Sequence, residues 1–540
     1  MSTGYILAAA LCASFVMSAS ALADNGFKIG IEMQSMVKTD PLVEAALAEM
    51  GIGYFNYYAN TVDWQQGNPD APEAEVNASM MALAERLKLD FSISCHMVDP
   101  SDASIRAASA SRRFRGVVID EVEHARLMNY HHSPLADPNT WKTLPEAYAG
   151  AIEGYKKLDA KLKAAGAPVA TATHVWPVLE HVAARAGFTV CPKICKELYS
   201  SVSFAIGMGA AKQYGTELWA DVDLWFWDLI PGHSAEEMKC NLLMAYWLGA
   251  DLVYIEGCGY NLRPAGKQGI PFSLVNLTQS ETYQLTPHGE VLRWFCREYL
   301  PAHPRKWTFR DVRPNIAIVR FPDSCHGQRY VTGFEDNLYG SKNIHSDRDT
   351  EAWLAIWNLI TFGNTGRDGL TFFKAPCASY GYQRGVQKDV AASYLTRPVQ
   401  AGSHSFFVPL TGAVVYDHLA GYDLLKGVPL IFVTGKEVSD ETAKAIEKCV
   451  QEGSKCVVWG PLAKRFGISD WKSGVKLVPK GKGEFIVTDD FQLPAVYSEV
   501  ISLLGRPDEI RYRFGDDSVV LKRVTDNDVS VEFEAQPTAL

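Results

Sequence analysis

The stretch Gly116 to His124, GVVIDEVEH, joins an apolar run of strand length, Val117 to Ile119, to three acids, Asp120, Glu121 and Glu123, and then to His124. Gly249 to Gly257, GADLVYIEG, repeats the pattern with a single carboxylate, Glu256. Strands buried on both faces read as continuous apolar runs, and in a parallel barrel the carboxyl ends of such strands carry the chemistry. Two carboxylates so placed can serve as general acid and base, or as acid and nucleophile. Glu121, set between an apolar run and like charges, is suited to the acid. Glu256, with Tyr254 on the same strand face and Gly257 and Gly259 leaving room for a ring, is suited to nucleophile or base, with Asp223 as its substitute. The same acids also fit structural duty, Asp120 or Glu123 as a helix cap and Glu256 as the partner of Arg263.

The elements that must position these groups alternate with regularity. Strand-like runs FKIGIEM, YFNYYAN, FSISCHM, GVVID, VATATHVWP, a weaker TVCPKIC, ELWADVDLWFW and DLVYIEG are separated by helical patterns such as PLVEAALAEM and LPEAYAGAIEGYKKLDAKLKAA. Eight strand–helix units within about 280 residues predict a (β/α)8 TIM barrel. Strand parity predicts which residues reach its mouth: Glu32, Asn60, His96, Glu121, His174, Asp223 and Glu256, with Asp120 beside them and Tyr58, Trp64, Trp176, Trp225 and Trp227 as aromatic neighbours. Acids, amides and aromatic faces together are the usual lining of a sugar site, where rings stack on C–H surfaces and polar groups bind hydroxyls. His96 and His174 would bind hydroxyls or orient carboxylates, and each also suits a satisfied interior histidine.

Length and composition bound the partners. A chain of 540 residues with 47% hydrophobic and 21% charged residues is ordinary for a globular protein of several domains. Its net charge of -10, without a basic run, argues against nucleic acid. No apolar run past the N-terminus approaches the roughly 20 residues a membrane span needs, so no membrane partner is expected. The first 23 residues are apolar and small and end in Ala21-Leu22-Ala23, a cleavage signature that predicts an exported, periplasmic or extracellular protein starting near Asp24. Removing them leaves ten of the 11 cysteines, with neither a C-x-x-C pair nor zinc spacing; Cys191 with Cys195 and Cys449 with Cys456 are the local disulfide candidates. Neither a cofactor nor a metal is expected.

After the barrel, assigned to residues 24–310, PNIAIVRF and then LLKGVPLIFVTG, SDETAKAIEKCVQEG and KCVVWG predict a doubly wound α/β domain over 311–470, without a Gly-rich phosphate fingerprint. Residues 471–540 predict a small β region with turns at Gly515-Asp516 and Asp526-Asn527.

This order of parts, together with LTPHGEVLRWFCREYL before PNIAIVRF, resembles the family-42 β-galactosidase type of the clan A glycoside hydrolases. The resemblance implies a glycosidase of retaining course acting on a neutral or weakly charged oligo- or polysaccharide. It implies a class I glutamine-amidotransferase-like second domain without catalysis, Val433-Thr434-Gly435 offering no nucleophilic cysteine, and a trimer or dimer formed through it. The clan's acid/base follows an Asn at the end of strand four; here Asp120-Glu121 stands there, mapping acid/base onto Glu121 without the Asn. The clan's nucleophile ends strand seven, whereas Glu256 ends strand eight if TVCPKIC is counted. Two other classes stay open: a metal-dependent hydrolase using Glu32, His96, Asp120, His174 and Glu256, and a non-catalytic sugar-binding protein.

Overall fold

The computed structural model describes residues 26–33, 35–59, 72–96, 98–122, 137–174, 179–195, 199–224, 233–256, 274–276, 282–322, 338–365 and 406–535. Eight parallel strands close into a barrel in sequence order: β1 Lys28–Met33, β2 Tyr54–Tyr58, β3 Asp90–Cys95, β4 Phe114–Ile119, β5 Ala170–His174, β6 Thr189–Cys195, β7 Trp219–Asp223 and β8 Leu252–Glu256. The helices between them are α1 Pro41–Met50, α2 Glu73–Leu87, α3 Asp102–Ser109, α4 Leu144–Ala165, α5 Glu180–Arg185, α6 Ser200–Tyr214 and α7 Ala235–Trp247, followed by α8 Pro287–Trp294.

Local chemistry sets these boundaries. Asp40 caps α1 by accepting from Leu42 N at 2.8 Å, Pro41 occupies the first turn where no amide partner is needed, and Gly51 ends the helix in the left-handed region. Thr143 and Glu146 form a reciprocal capping box that starts the long α4.

The weak strand TVCPKIC is a full barrel member, paired with β5 through Thr171↔Thr189 and with β7 through Lys193↔Asp221 and Cys195↔Asp223. Its registers, with Asp223↔Glu256 across β7 and β8, bring the carboxyl ends of three strands level. Below that level Tyr54, Val118, Cys191, Trp219, Leu252 and Tyr254 fill the barrel as a packed apolar layer. At Gly30 a Cβ would lie 2.2 Å from the Tyr54 carbonyl, so only glycine lets β2 approach there.

The second sheet joins β9 Ile316–Arg320, β10 Ala413–Asp417, β11 Leu430–Thr434, β12 Lys455–Trp459, β13 Lys476–Lys480 and β14 Gly483–Thr488 in the order β10-β9-β11-β12-β14-β13. All neighbours are parallel except the edge hairpin β13–β14, and the five parallel strands follow the 2-1-3-4-5 order of doubly wound domains. The sheet therefore runs past Asp470, the boundary expected from sequence: the hairpin read as part of the β appendage belongs to it. The appendage itself is β15 Glu509–Phe514, β16 Asp517–Thr525 and β17 Asp528–Ala535, antiparallel, with Leu410–Thr411 parallel to β15.

Barrel and second sheet meet at α6 and β10. A Cβ on Gly209 would fall 1.6 Å from the Val415 carbonyl, so the helix backbone lies directly against the strand. His181 Nε2 bonds the same carbonyl at 2.9 Å, and Asp417, buried at the end of β10, takes hydrogen bonds from Gln213 and Tyr214 of α6.

The cysteines Cys191, Cys195, Cys449 and Cys456 are buried and in no disulfide, which corrects both disulfide candidates. Cys191 and Cys195 sit four positions apart on one strand, a span of about 13 Å that no disulfide bridges. Among the described residues no helix is long and apolar enough to cross a membrane.

Candidate active site

The centre of the barrel mouth is Lys193. Its side chain, from the same face of β6 as Cys191, is fully buried, and its Nζ lies 2.6 Å from Glu256 Oε2, 3.0 Å from Asp120 Oδ1, 3.2 Å from Asp223 Oδ2, 3.3 Å from Glu121 Oε1 and 3.8 Å from Asp221 Oδ2. Because Glu121 and Glu256 share this ammonium, their near oxygens are no farther apart than the two contacts laid end to end, about 6 Å, an upper bound that lies below the roughly 6.5 to 9.5 Å of inverting glycosidase pairs.

Asp120 is held by three side chains besides Lys193. His96 Nδ1 lies 2.9 Å from its Oδ2, Tyr58 donates to the same oxygen at 3.3 Å, and Thr173 donates to Oδ1 at 2.8 Å. Tyr58 also reaches Glu32 Oε2 at 3.4 Å, which ties β1 into the set. Tyr254 donates to Asp221 Oδ2 at 2.9 Å.

Glu121 needs a separate explanation. Asp120 points inward with Val118, so strand parity would turn the next side chain outward. The backbone of Glu121 instead takes a φ of 46°, unusual for a non-glycine, and its N–H donates to Thr173 Oγ1 at 2.9 Å. The turn swings the carboxylate back over Lys193. Its side chain keeps 14% exposure where that of Glu256 keeps 3%, so Glu121 is the acid on the solvent side.

The electrostatics divide the acids. Burial, then the charges of Asp120, Asp221 and Asp223, push Glu256 well above the usual carboxylate range, with Lys193 pulling the other way. Burial and Asp120 do the same to Glu32. Burial raises Asp221 to about 7 against the pull of Lys193. Burial also works to raise Asp120, but the Lys193 ammonium and the His96 hydrogen bond outweigh it and hold this carboxyl below its ordinary value. Burial would lower His96, and its bond to Asp120 more than offsets that. Lys193 itself stays firmly protonated: burial favours the neutral amine, but Asp120, Asp223, Glu256 and Glu121 overcome it. Such a group is a fixed charge, not an amine nucleophile.

Of the residues expected at the mouth, Glu32, His96, Asp120, Glu121, Asp223 and Glu256 come together. Asn60, Trp64, Trp176 and Trp225 lie outside the described residues, as do Trp227, Glu123 and Arg263. His174 does not join the site. It faces the helices, with Nδ1 3.2 Å from Glu180 Oε2 and Nε2 3.1 Å from the Tyr155 hydroxyl. In ATATH the Thr173 hydroxyl is satisfied by Asp120 inside the barrel, so Thr173 turns inward and the alternation sends His174 out.

Three carboxylates, Asp120, Asp221 and Glu256, offer oxygens close enough for one metal ion. The Lys193 ammonium already stands among them, 3.0, 3.8 and 2.6 Å from their oxygens, and supplies the positive charge an ion would bring.

No protein-family model matches the sequence, and no curated protein matches it. Among solved structures the chain is similar to a polyextremophilic β-galactosidase from the Antarctic haloarchaeon Halorubrum lacusprofundi, at TM-score 0.53 and 10% identity over 92% of this chain and 93% of that one. It is similar to the β-galactosidase of the psychrophilic Marinomonas ef1, at 0.52 and 9% over 92% and 95%. It is likewise similar to that of Bacillus circulans sp. alkalophilus, at 0.52 and 8% over 92% and 92%. The likeness is one of fold and spans nearly the whole chain: a closed eight-stranded barrel followed by further sheets, the architecture of those β-galactosidases.

Proposed function

We propose that the protein is a glycoside hydrolase acting on a neutral or weakly charged oligo- or polysaccharide, with Glu121 as acid/base and Glu256 as the carboxylate facing the anomeric carbon. The observation that carries this reading is the convergence of the two carboxylates on the Lys193 ammonium at the carboxyl ends of β4 and β8. Glu121, the more exposed of the two, would protonate the leaving oxygen. Glu256 has the shortest contact to Lys193, which favours its ionised form, while burial and the neighbouring acids oppose it; in the ionised state the second role needs, the proton would rest on Asp221 or Glu32. The short span of the pair favours a retaining course, in which Glu256 bonds the anomeric carbon and Glu121 then activates water for its release.

Asp223, level with Glu256 and ending β7, is the alternative second carboxylate. Its variant belongs in the same experiment: product profiling on a broad glycan panel with the anomer read by NMR, using Glu121→Gln, Glu256→Gln and Asp223→Asn. Loss of turnover in the first two, in folded protein, supports the reading. Retention of full turnover in Glu256→Gln with loss in Asp223→Asn moves the role to Asp223.

One observation favours a second reading. Lys193 binds the candidate acids so closely that they also suit a sugar-binding protein without turnover. Glycan binding by the wild-type chain with no cleavage anywhere on the panel would select it.

A further inference from the structure

A second polar cluster lies at the same end of the barrel and takes no part in the contacts of Lys193. Cys195 ends β6, His233 precedes α7, and Glu237 lies in the first turn of that helix. All three are buried, and their donor atoms lie within 4.8 Å of one another. We propose that Cys195, His233 and Glu237 form a binding site for one divalent metal ion of the zinc class.

The donor set is the first argument. A thiol, an imidazole and a carboxylate suit a borderline ion such as zinc, whereas magnesium and calcium take oxygen donors. Zinc ligands in tetrahedral array sit about 3.5 Å apart, so groups already this close need only small side-chain adjustments. Three protein ligands with a fourth position left open is the number that non-structural zinc sites use.

The support around the cluster is the second argument. His233 Nδ1 lies 2.9 Å from Glu237 Oε2, so the imidazole and the carboxylate already face each other, and the main-chain carbonyl of His233 is held by His288 Nε2 at 2.9 Å. Ser234 caps α7 by accepting from Glu237 N at 3.1 Å, anchoring the carboxylate's backbone. Cys195 adopts a φ of 79°, a left-handed conformation that costs a non-glycine residue about 1 to 3 kcal/mol, and its N–H is held by Ser200 Oγ at 3.1 Å. A strained backbone held in place beside a histidine and an acid gives the thiol a fixed position.

The site differs in kind from the carboxylate centre. There five carboxylates gather round a lysine; here the donors are a thiol, an imidazole and a single carboxylate. An ion bound here would join the end of β6 to the start of α7, two segments that flank the mouth.

The test uses the full chain. Metal analysis of purified protein, followed by chelation and reloading with Co2+ as the spectroscopic probe, should show one ion per chain and a thiolate-to-cobalt charge-transfer band. Cys195→Ser should lose the band, and His233→Gln should lose the ion while keeping the thiol. Asp221→Asn, in the other carboxylate group, should keep both. If Cys195→Ser does not fold, the wild-type spectrum and His233→Gln decide. A wild-type chain that takes up no Co2+ at micromolar free ion, or a band that survives in His233→Gln, overturns the site. Neither result depends on whether the protein cleaves a glycoside.

Discussion

Lys193 Nζ stands 2.6 Å from Glu256 Oε2 with both groups buried, and four more carboxylates close round the same ammonium. Taking such charges out of water costs several kcal/mol each, and the mutual attraction offsets that cost only while both signs are present. Among the described residues, the acids of the barrel mouth therefore depend on the Lys193 ammonium.

Lys193→Met keeps the length of the side chain and removes its charge. Removing one partner from a buried ion pair typically costs about 3 to 5 kcal/mol, and that loss is expected near pH 7.5. It should shrink in mild acid, where the orphaned carboxylates can take up protons instead. Urea unfolding of wild type and variant at the two pH values measures both effects; equal stability at pH 7.5 would show that the ammonium is dispensable.

The raised acids give a signed dependence on pH. Asp221 holds its proton up to about 7 in the folded chain and releases it near 4 when unfolded, so between those values the folded state binds more protons. Its contribution is fully present below about 4 and is lost as pH rises to about 7, a change of the order of a few kcal/mol. His96, also raised, acts in the same direction, while Asp120, held low, titrates below this window. Asp221→Asn should flatten the decline and be the more stable form at pH 8. A wild-type denaturation midpoint that climbs steadily from pH 5 to 7.5 contradicts this.

Much of the barrel was legible because apolar strand runs and helical patterns alternate at regular spacing, and the three acids after Ile119 stood out against them. Lys193 was not. TVCPKIC carries a proline and a lysine, both uncommon in a central strand, so it read as weak, and the residue at the middle of the site was passed over. The available signal was parity: Cys191, Lys193 and Cys195 share a face, and a strand beside WADVD needs a cation for its two inward acids. His174 failed for the opposite reason. A polar residue at a strand end invites a place at the mouth, but in ATATH it is Thr173 whose hydroxyl bonds an interior acid. The hairpin Lys476–Lys480 with Gly483–Thr488 looked like an independent β unit because its antiparallel turn is local, whereas its pairing with β12 is not.

Gly209→Ala tests the junction between barrel and second sheet. The added methyl would fall on the Val415 carbonyl, backbone that cannot yield as a flexible side chain does. Overpacking of this kind costs about 1 to 3 kcal/mol, and the shift should loosen the contacts of Gln213 and Tyr214 with Asp417. Calorimetry should show a lower or split transition; an unchanged single transition would mean that the helix and strand can part at no cost.

Thr173→Val separates position from chemistry at Glu121. The threonine hydroxyl accepts from Glu121 N and donates to Asp120 Oδ1, so it holds both the left-handed turn and the neighbouring acid. Valine matches its shape and removes both bonds, leaving Glu121 chemically intact but free to follow the outward course of the strand. A displacement of about 1 Å at a reacting group can cost on the order of a hundredfold in rate. If Glu121 delivers the proton, kcat should fall by that order with KM little changed, and the alkaline limb of the pH–rate profile, which the ionisation of the proton donor sets, should move, while Thr173→Ser restores most of the rate. A valine variant with wild-type kcat would mean that the turn at Glu121 does not position the proton donor.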